Sequence, residues 1–146
     1  MRDDGPPVPI EGARSLTSVF GRWPSFHDAV VLRLLFDRET PKTGFDVEAV
    51  IHLWETTPKL EPSGSCRLIH PTRATFRFFD CDEVTLRDFN HQNEIHELAL
   101  TFDEARDHER PYRAEFGWCN GLDGGLSCRR IAVLAAEPRP VDFAGH

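Results

Sequence analysis

No stretch of this sequence approaches the roughly 18 consecutive apolar residues that a membrane-spanning helix requires. The opening run Met1-Arg2-Asp3-Asp4-Gly5-Pro6-Pro7 lacks the apolar centre of a secretory signal, so the expected location is the cytoplasm. Cysteine is sparse and unpaired in pattern. Cys66, Cys81, Cys119 and Cys128 form no C-x-x-C pair and match no zinc spacing. In a reducing compartment all four are expected as thiols, and a buried free thiol behaves as a small hydrophobe. Cations are also short, 17 Lys and Arg against 24 Asp and Glu, for a net charge of −7. That balance argues against nonspecific nucleic-acid binding, which sets cationic side chains against phosphates.

Chemistry-bearing motifs are equally scarce. His27, His52, His70, His91, His96 and His108 show no H-x-H or H-E-x-x-H spacing, so no metal is expected. Gly121-Leu122-Asp123-Gly124-Gly125 lacks the following Lys of a phosphate-cradling loop, and no G-x-S-x-G elbow occurs. No cofactor and no catalytic residue is assigned on this basis.

What is present is turn and strand chemistry. The chain holds 11 Phe, 3 Trp, 11 Pro and 10 Gly, and its 146 residues fit one domain. A chain of this size buries roughly 70% of its unfolded surface, enough for a core without staples. Residues 1–12, rich in Pro, Gly and acid, read as a flexible arm, residues 13–138 as the domain, and 139–146 as a tail. Leu16, Val19 and Phe20 share one helical face between Ala13 and Gly21. From Ala29 onward strand patterns take over. Val30, Leu32, Leu34 and Phe36 alternate with Val31 and Leu35, which predicts a strand covered on both faces. Phe45, Val47, Ala49, Ile51 and Leu53 alternate with polar residues, which predicts a half-buried strand. Pro41–Gly44 reads as a turn and Pro58–Gly64 as a longer loop. Further strands are expected over 66–79, with an edge or bulge at Pro71, and over 83–89, 95–102, 112–118 and 126–136. Asn120 to Gly125 supplies hairpin residues before the last. The expected fold is mainly β: a curved antiparallel sheet or two-layer β-sandwich of about seven strands with one short N-terminal helix.

Three features invite a functional reading. His27-Asp28 pairs an imidazole with a carboxylate, as a hydrolase with His91 or Asn90 would require, though such a turn more commonly bonds its own backbone. Trp23, Phe26 and Trp118 are either a patch or, more usually, core. The corner reading has Trp23, Phe26 and Val30 anchoring the helix on the sheet while Ser25 or Asp28 accepts from local amides. Third, the segment from Asp82 to Glu109 holds nine acids opposed only by Arg87 and Arg106, a net of −7 that equals the charge of the whole chain. Within it Asn90-His91-Gln92-Asn93 forms a compact polar loop.

The run Phe20-Gly21-Arg22-Trp23-Pro24-Ser25-Phe26-His27-Asp28-Ala29 resembles the opening motif of the immunity protein 50 family, whose members are encoded beside polymorphic toxins in bacteria. Phe89-Asn90-His91-Gln92-Asn93 and Ser127-Cys128-Arg129-Arg130-Ile131 are similar to later parts of the family pattern, so the resemblance spans about Leu16 to Pro138. It implies one cytoplasmic domain that binds and neutralises a cognate toxin, and assigns no catalytic residue. On this reading Trp23, Pro24, Ser25, Phe26, His27 and Asp28 are a folding motif. Asp88, Asn90, Gln92, Glu94, Glu97, Asp103 and Glu104 are candidate partner-binding residues for a protein toxin with a basic surface. The alternatives are a small-ligand-binding β protein and a hydrolase using His27 and Asp28. Oligomeric state is not legible.

Overall fold

The structure, a computed structural model, describes residues 4–39, 43–60, 62, 64 and 66–141, with the side chains of 58–60, 66–67 and 118–119 outside that description. One helix precedes seven strands: α1 (Arg14–Phe20), β1 (Val30–Asp37), β2 (Phe45–Leu60), β3 (Cys66–Arg87), β4 (Glu94–Phe102), β5 (Tyr112–Asn120), β6 (Asp123–Cys128) and β7 (Arg130–Pro138). The mainly-β expectation holds. All pairings between strands are antiparallel, in the order β2-β1-β4-β5-β6-β3-β7, and β2 also pairs with β3. The path of neighbours therefore closes on itself, with β7 as an added strand.

Strand β3 makes this possible. Its first part pairs with β2 on one side and β7 on the other, while Asp82 to Arg87 pair with β6. The sequence suggested two strands, 66–79 and 83–89, yet the chain runs through as one. Asp80 and Glu83 take positive φ (52° and 50°) at the changeover, which lets the strand switch partners without ending. Conversely, the expected strand over 126–136 is divided at Arg129 into β6 and β7, which occupy different places beside β3. The Pro71 expectation is met by a bulge: Ile69 faces Glu55 and Thr72 faces Leu53, an extra residue on β3, with His70 at φ 54°. Strand β2 runs on to Leu60, so the loop expected from Pro58 begins later. Pro41 and Lys42 of the expected turn lie outside the described residues.

The two predicted coverings are exchanged. β2 was expected half-buried, but Asp46, Val50 and His52 on its polar side are buried along with Val47, Ala49, Ile51 and Leu53. β1 was expected covered on both faces, yet Leu35 and Phe36 are 40% and 52% exposed. The reason is position. β2 lies between β1 and β3, whereas β1 meets β4 only at Val30 opposite Glu94.

Large apolar side chains occupy the interior. Phe76, Phe78, Phe116, Leu16, Ile51, Leu53, Ile95, Leu122, Leu126 and Ile131 are almost wholly inaccessible. Helix α1 contributes Leu16 and Phe20 and ends at Gly21, whose φ of 78° suits a residue without Cβ. Residues 4–12, expected as a loose arm, are instead seated on the sheet. Val8 is buried, Tyr112 donates its hydroxyl to the Pro9 carbonyl at 2.5 Å, and Glu11 bridges Ala132 beside β7. Prolines lower the entropy lost on docking, which helps so short an arm to hold.

Candidate functional site

The Trp23–Asp28 corner packs its aromatic rings on β3 and bonds its own backbone. Phe26 is buried, and its ring meets Phe76 at 5.8 Å and Trp23 at 5.8 Å between centroids. Trp23, half-buried, also meets Phe76 edge-on at 6.2 Å. Val30 is buried at the start of β1. Ser25 Oγ accepts the His27 amide at 3.2 Å, which curls the chain. Asp28 then takes φ 67°, tolerable for Asp, and its amide donates to the Ile95 carbonyl at 3.0 Å, tying the corner to β4.

The corner also borders a cavity of about 210 Å³ lined by Arg22, Ser25, His27, Asp28, Trp54, Glu55 and Thr56. A serine, a histidine and an aspartate thus share one cleft, but not as a relay. His27 Nε2 lies 3.6 Å from Asp28 Oδ2, and Nδ1 lies 3.3 Å from the His96 carbonyl oxygen. Both ring nitrogens face acceptors other than Ser25, whose hydroxyl oxygen is held by a backbone amide. A general base needs its nucleophile within hydrogen-bond reach. Neither His91 nor Asn90 bonds to His27 among the described residues. The neighbour is His96, with ring centroids 5.1 Å apart.

The polar loop after β3 is a self-bonded turn. Asn90 Oδ1 accepts the Gln92 and Asn93 amides at 2.8 and 3.1 Å. Asn93, buried, returns the favour: its Oδ1 accepts the Asn90 amide at 2.7 Å, and its Nδ2 donates to the Val31 carbonyl at 3.2 Å. Gly121 of the β5–β6 turn packs so closely that a Cβ there would sit 2.4 Å from Asn90 Oδ1. Asn90 and Asn93 therefore shape the loop, and Gln92 and His91 are left exposed on it.

The candidate acidic residues fall in two places. Asp88, Asn90, Gln92 and Glu94 lie before and at the start of β4, with Glu97 two register shifts along. Asp103 and Glu104 follow the far end of β4, about 20 Å beyond Glu97 at roughly 3.4 Å per strand residue. Asp88, Glu97, Glu104 and Glu109 are exposed and have no ion pair or side-chain hydrogen bond among the described residues. Others are committed. Glu94 accepts from Asn120 at 3.4 Å. Asp103 accepts the Ala105 and Arg106 amides, and Asp107 accepts those of Glu109 and Arg110. The Arg110 amide bond does most to hold the Asp107 carboxyl below its ordinary value.

Sequence reasoning missed the ion-pair system across the other part of the sheet. Arg77 on β3 donates to Asp46 (2.9 Å), Glu48 (3.1 Å) and Asp37 (3.1 Å). Asp80, buried, accepts from Arg110 at 3.1 Å and from Arg129 at 2.9 and 3.1 Å. Burial alone would raise the Asp80 carboxyl; hydrogen bonds from Arg129 and Arg110 outweigh it and hold the group below the usual carboxylate range. Phe79 carries the Arg130 guanidinium at 4.2 Å from its ring centre, and Arg130 also pairs with Glu11 at 2.7 Å. The available signal was Phe76-Arg77-Phe78-Phe79-Asp80, two charges set among phenylalanines in a strand.

An apolar core, a buried ion-pair system, self-bonded loops and exposed unpaired acids characterise this antiparallel β domain. The chain belongs to the immunity protein 50 family, whose sequence profile matches residues 12–139. No curated protein and no solved structure matches it. Among the described residues no helix is long and apolar enough to cross a membrane, and no group of three metal-ligating side chains converges.

Proposed function

We propose that this protein binds and neutralises a cognate toxin domain in the cell that makes both, by contact and not by chemistry. Membership of an immunity protein family supports the class of partner. The observation that carries the mode of binding is the contrast between the two sets of carboxylates. Asp37, Asp46, Glu48 and Asp80 are paired internally with Arg77, Arg110 and Arg129. Asp88, Glu97, Glu104 and Glu109 keep their charge for whatever approaches. A toxin acting on nucleic acid carries a basic cleft, and an acidic face both fits and speeds encounter with it.

The experiment is a titration against the toxin domain encoded beside the gene, at low and moderate salt. Glu94→Lys with Glu97→Lys alters one end of β4, and Glu104→Lys with Glu109→Lys alters the other. The pair that lies under the toxin should weaken binding, slow association and flatten the salt dependence, and the two pairs compared report how much of β4 the interface covers. Unchanged affinity in both pairs would remove the acidic surface from the reading. No binding by the unaltered protein would remove the immunity reading itself.

A further inference from the structure

We propose that two copies of this chain associate through the free edge of β1, in an antiparallel register with Leu35 of each copy on the two-fold axis. Beyond Val31, whose amide donates to the Asn93 carbonyl, β1 has no ladder partner on the side away from β2 among the described residues. That edge leaves a row of backbone donors and acceptors open to another strand. It also carries Leu35 and Phe36, 40% and 52% exposed, which is unusual cover for an edge facing only water.

The occupant follows from the residues of the edge itself. A two-fold interface sets residue i against j and j against i. Directly opposed residues of an antiparallel pair share a face, so such a register can shift only by two. With Leu35 opposite Leu35, Leu34 faces the second copy's Phe36 and Arg33 faces the second copy's Asp37, twice over. Shifting by two toward the N-terminus sets Arg33 against Leu35. Shifting by two the other way sets Leu35 against Asp37 and Leu34 against Arg38. Only the register centred on Leu35 matches apolar to apolar and charge to opposite charge. Arg33 is exposed and free to reach across. Asp37 already accepts from Arg77 and from the Glu39 amide, and a carboxylate has sites for further donors. Arg33 of one copy would thus extend the Glu48–Arg77–Asp37 system of the other across the dimer axis. Five residues a side is a short pairing, so the association should be weak and concentration-dependent.

Sedimentation equilibrium of the full chain, from micromolar to millimolar concentration, should show mass rising from one chain toward two. Leu35→Asp, which sets two carboxylates face to face, should keep the chain monomeric while leaving its melting curve unchanged, because Leu35 is exposed. Register is read separately by mild oxidation. Leu35→Cys should give a disulfide-linked dimer well above the unaltered protein's background, since opposed Cβ atoms lie about 4.5–5.5 Å apart. Arg33→Cys, whose counterpart is Asp37, should not. A chain that stays monomeric throughout, or cross-linking as strong at Arg33→Cys as at Leu35→Cys, would overturn the proposal. A toxin domain that protects Leu35→Cys from modification while the chain alone stays monomeric would assign the edge to the toxin and overturn it too.

Discussion

Arg110, in the loop before β5, reaches Asp80 on β3 through two bonds: Nη2 to the carboxylate at 3.1 Å and Nε to the carbonyl oxygen at 2.8 Å. Both side chains are nearly inaccessible, 9% and 8% exposed, and Arg129 completes the carboxylate from the β6–β7 junction. One carboxylate thereby holds three segments at the point where β3 changes partners.

Asp80→Ala should therefore be among the most destabilising polar substitutions in the chain. Removing one member of a buried pair typically costs about 3–5 kcal/mol, because the remaining charge stays buried without compensation. Chemical denaturation at neutral pH measures it. A loss within the ordinary surface range, about 0.5 kcal/mol, would mean that Arg110 swings out to solvent.

Stability should fall in acid from the same source. Asp37, Asp80 and Asp107 are held below the usual carboxylate value, by the Glu39 amide and Arg77 for Asp37, by Arg129 and Arg110 against burial for Asp80, and by the Arg110 and Glu109 amides for Asp107. A folded-state pKa below the unfolded one means the unfolded chain binds more protons at low pH. The contribution is complete above the unfolded carboxylate pKa of about 3.9 and is lost as pH falls below it. Melting followed from pH 7 to pH 2 should show the decline below about pH 4, and Asp80→Asn should make it shallower. An equal slope in that variant would place the acid sensitivity elsewhere.

The thiols give a third expectation. Burial pushes the Cys81 thiol up to about 12 and the Cys128 thiol up as well, so neither is a thiolate at neutral pH. Both are free. Alkylation of the folded protein should leave Cys81 and Cys128 unmodified, and unfolding should expose them. The side chains of Cys66 and Cys119 lie outside the described residues, and these too are expected as thiols. Mass spectrometry after alkylation with and without denaturant decides both points.

The polar loop can be dissected residue by residue. Asn93→Ala leaves the Val31 carbonyl and the Asn90 amide without their partner, and an unsatisfied buried group costs about 1–3 kcal/mol. Gln92→Ala removes an exposed side chain and should change stability by less than about 0.5 kcal/mol. In the corner, Phe26→Ala empties a space among Trp23 and Phe76 and should cost about 3–5 kcal/mol. A normal melt for Phe26→Ala would mean the motif does not anchor the fold.

Much of this molecule was legible from local chemistry. The helix over 14–20 with its Gly21 stop, the bulge at Pro71, the antiparallel β class and the Ser25 turn all follow from periodicity, proline, glycine and short side-chain bonds within a few residues. The family motif was carried by the same corner, because a local fold signature is written contiguously. Strand count came out right through two errors that offset each other: β3 runs through where a break was expected, and β6 and β7 part where a continuous strand was expected.

What the sequence could not decide was which strands meet, and everything that depends on it. Alternation gives a strand two faces but does not say what covers them, so β1 and β2 exchanged their expected burial once β2 was set between two neighbours and β1 was not. Asp46, Asp80 and Arg77 find partners 30 to 49 positions away, which no local pattern in the sequence shows. The acids of residues 82–109 looked like one charged stretch, and β4 divides them between its two ends. Local backbone preferences act over a few residues and can be read in order along the chain. Charge pairing, burial and the shape of a surface are set by distances through space, which only the folded sheet fixes.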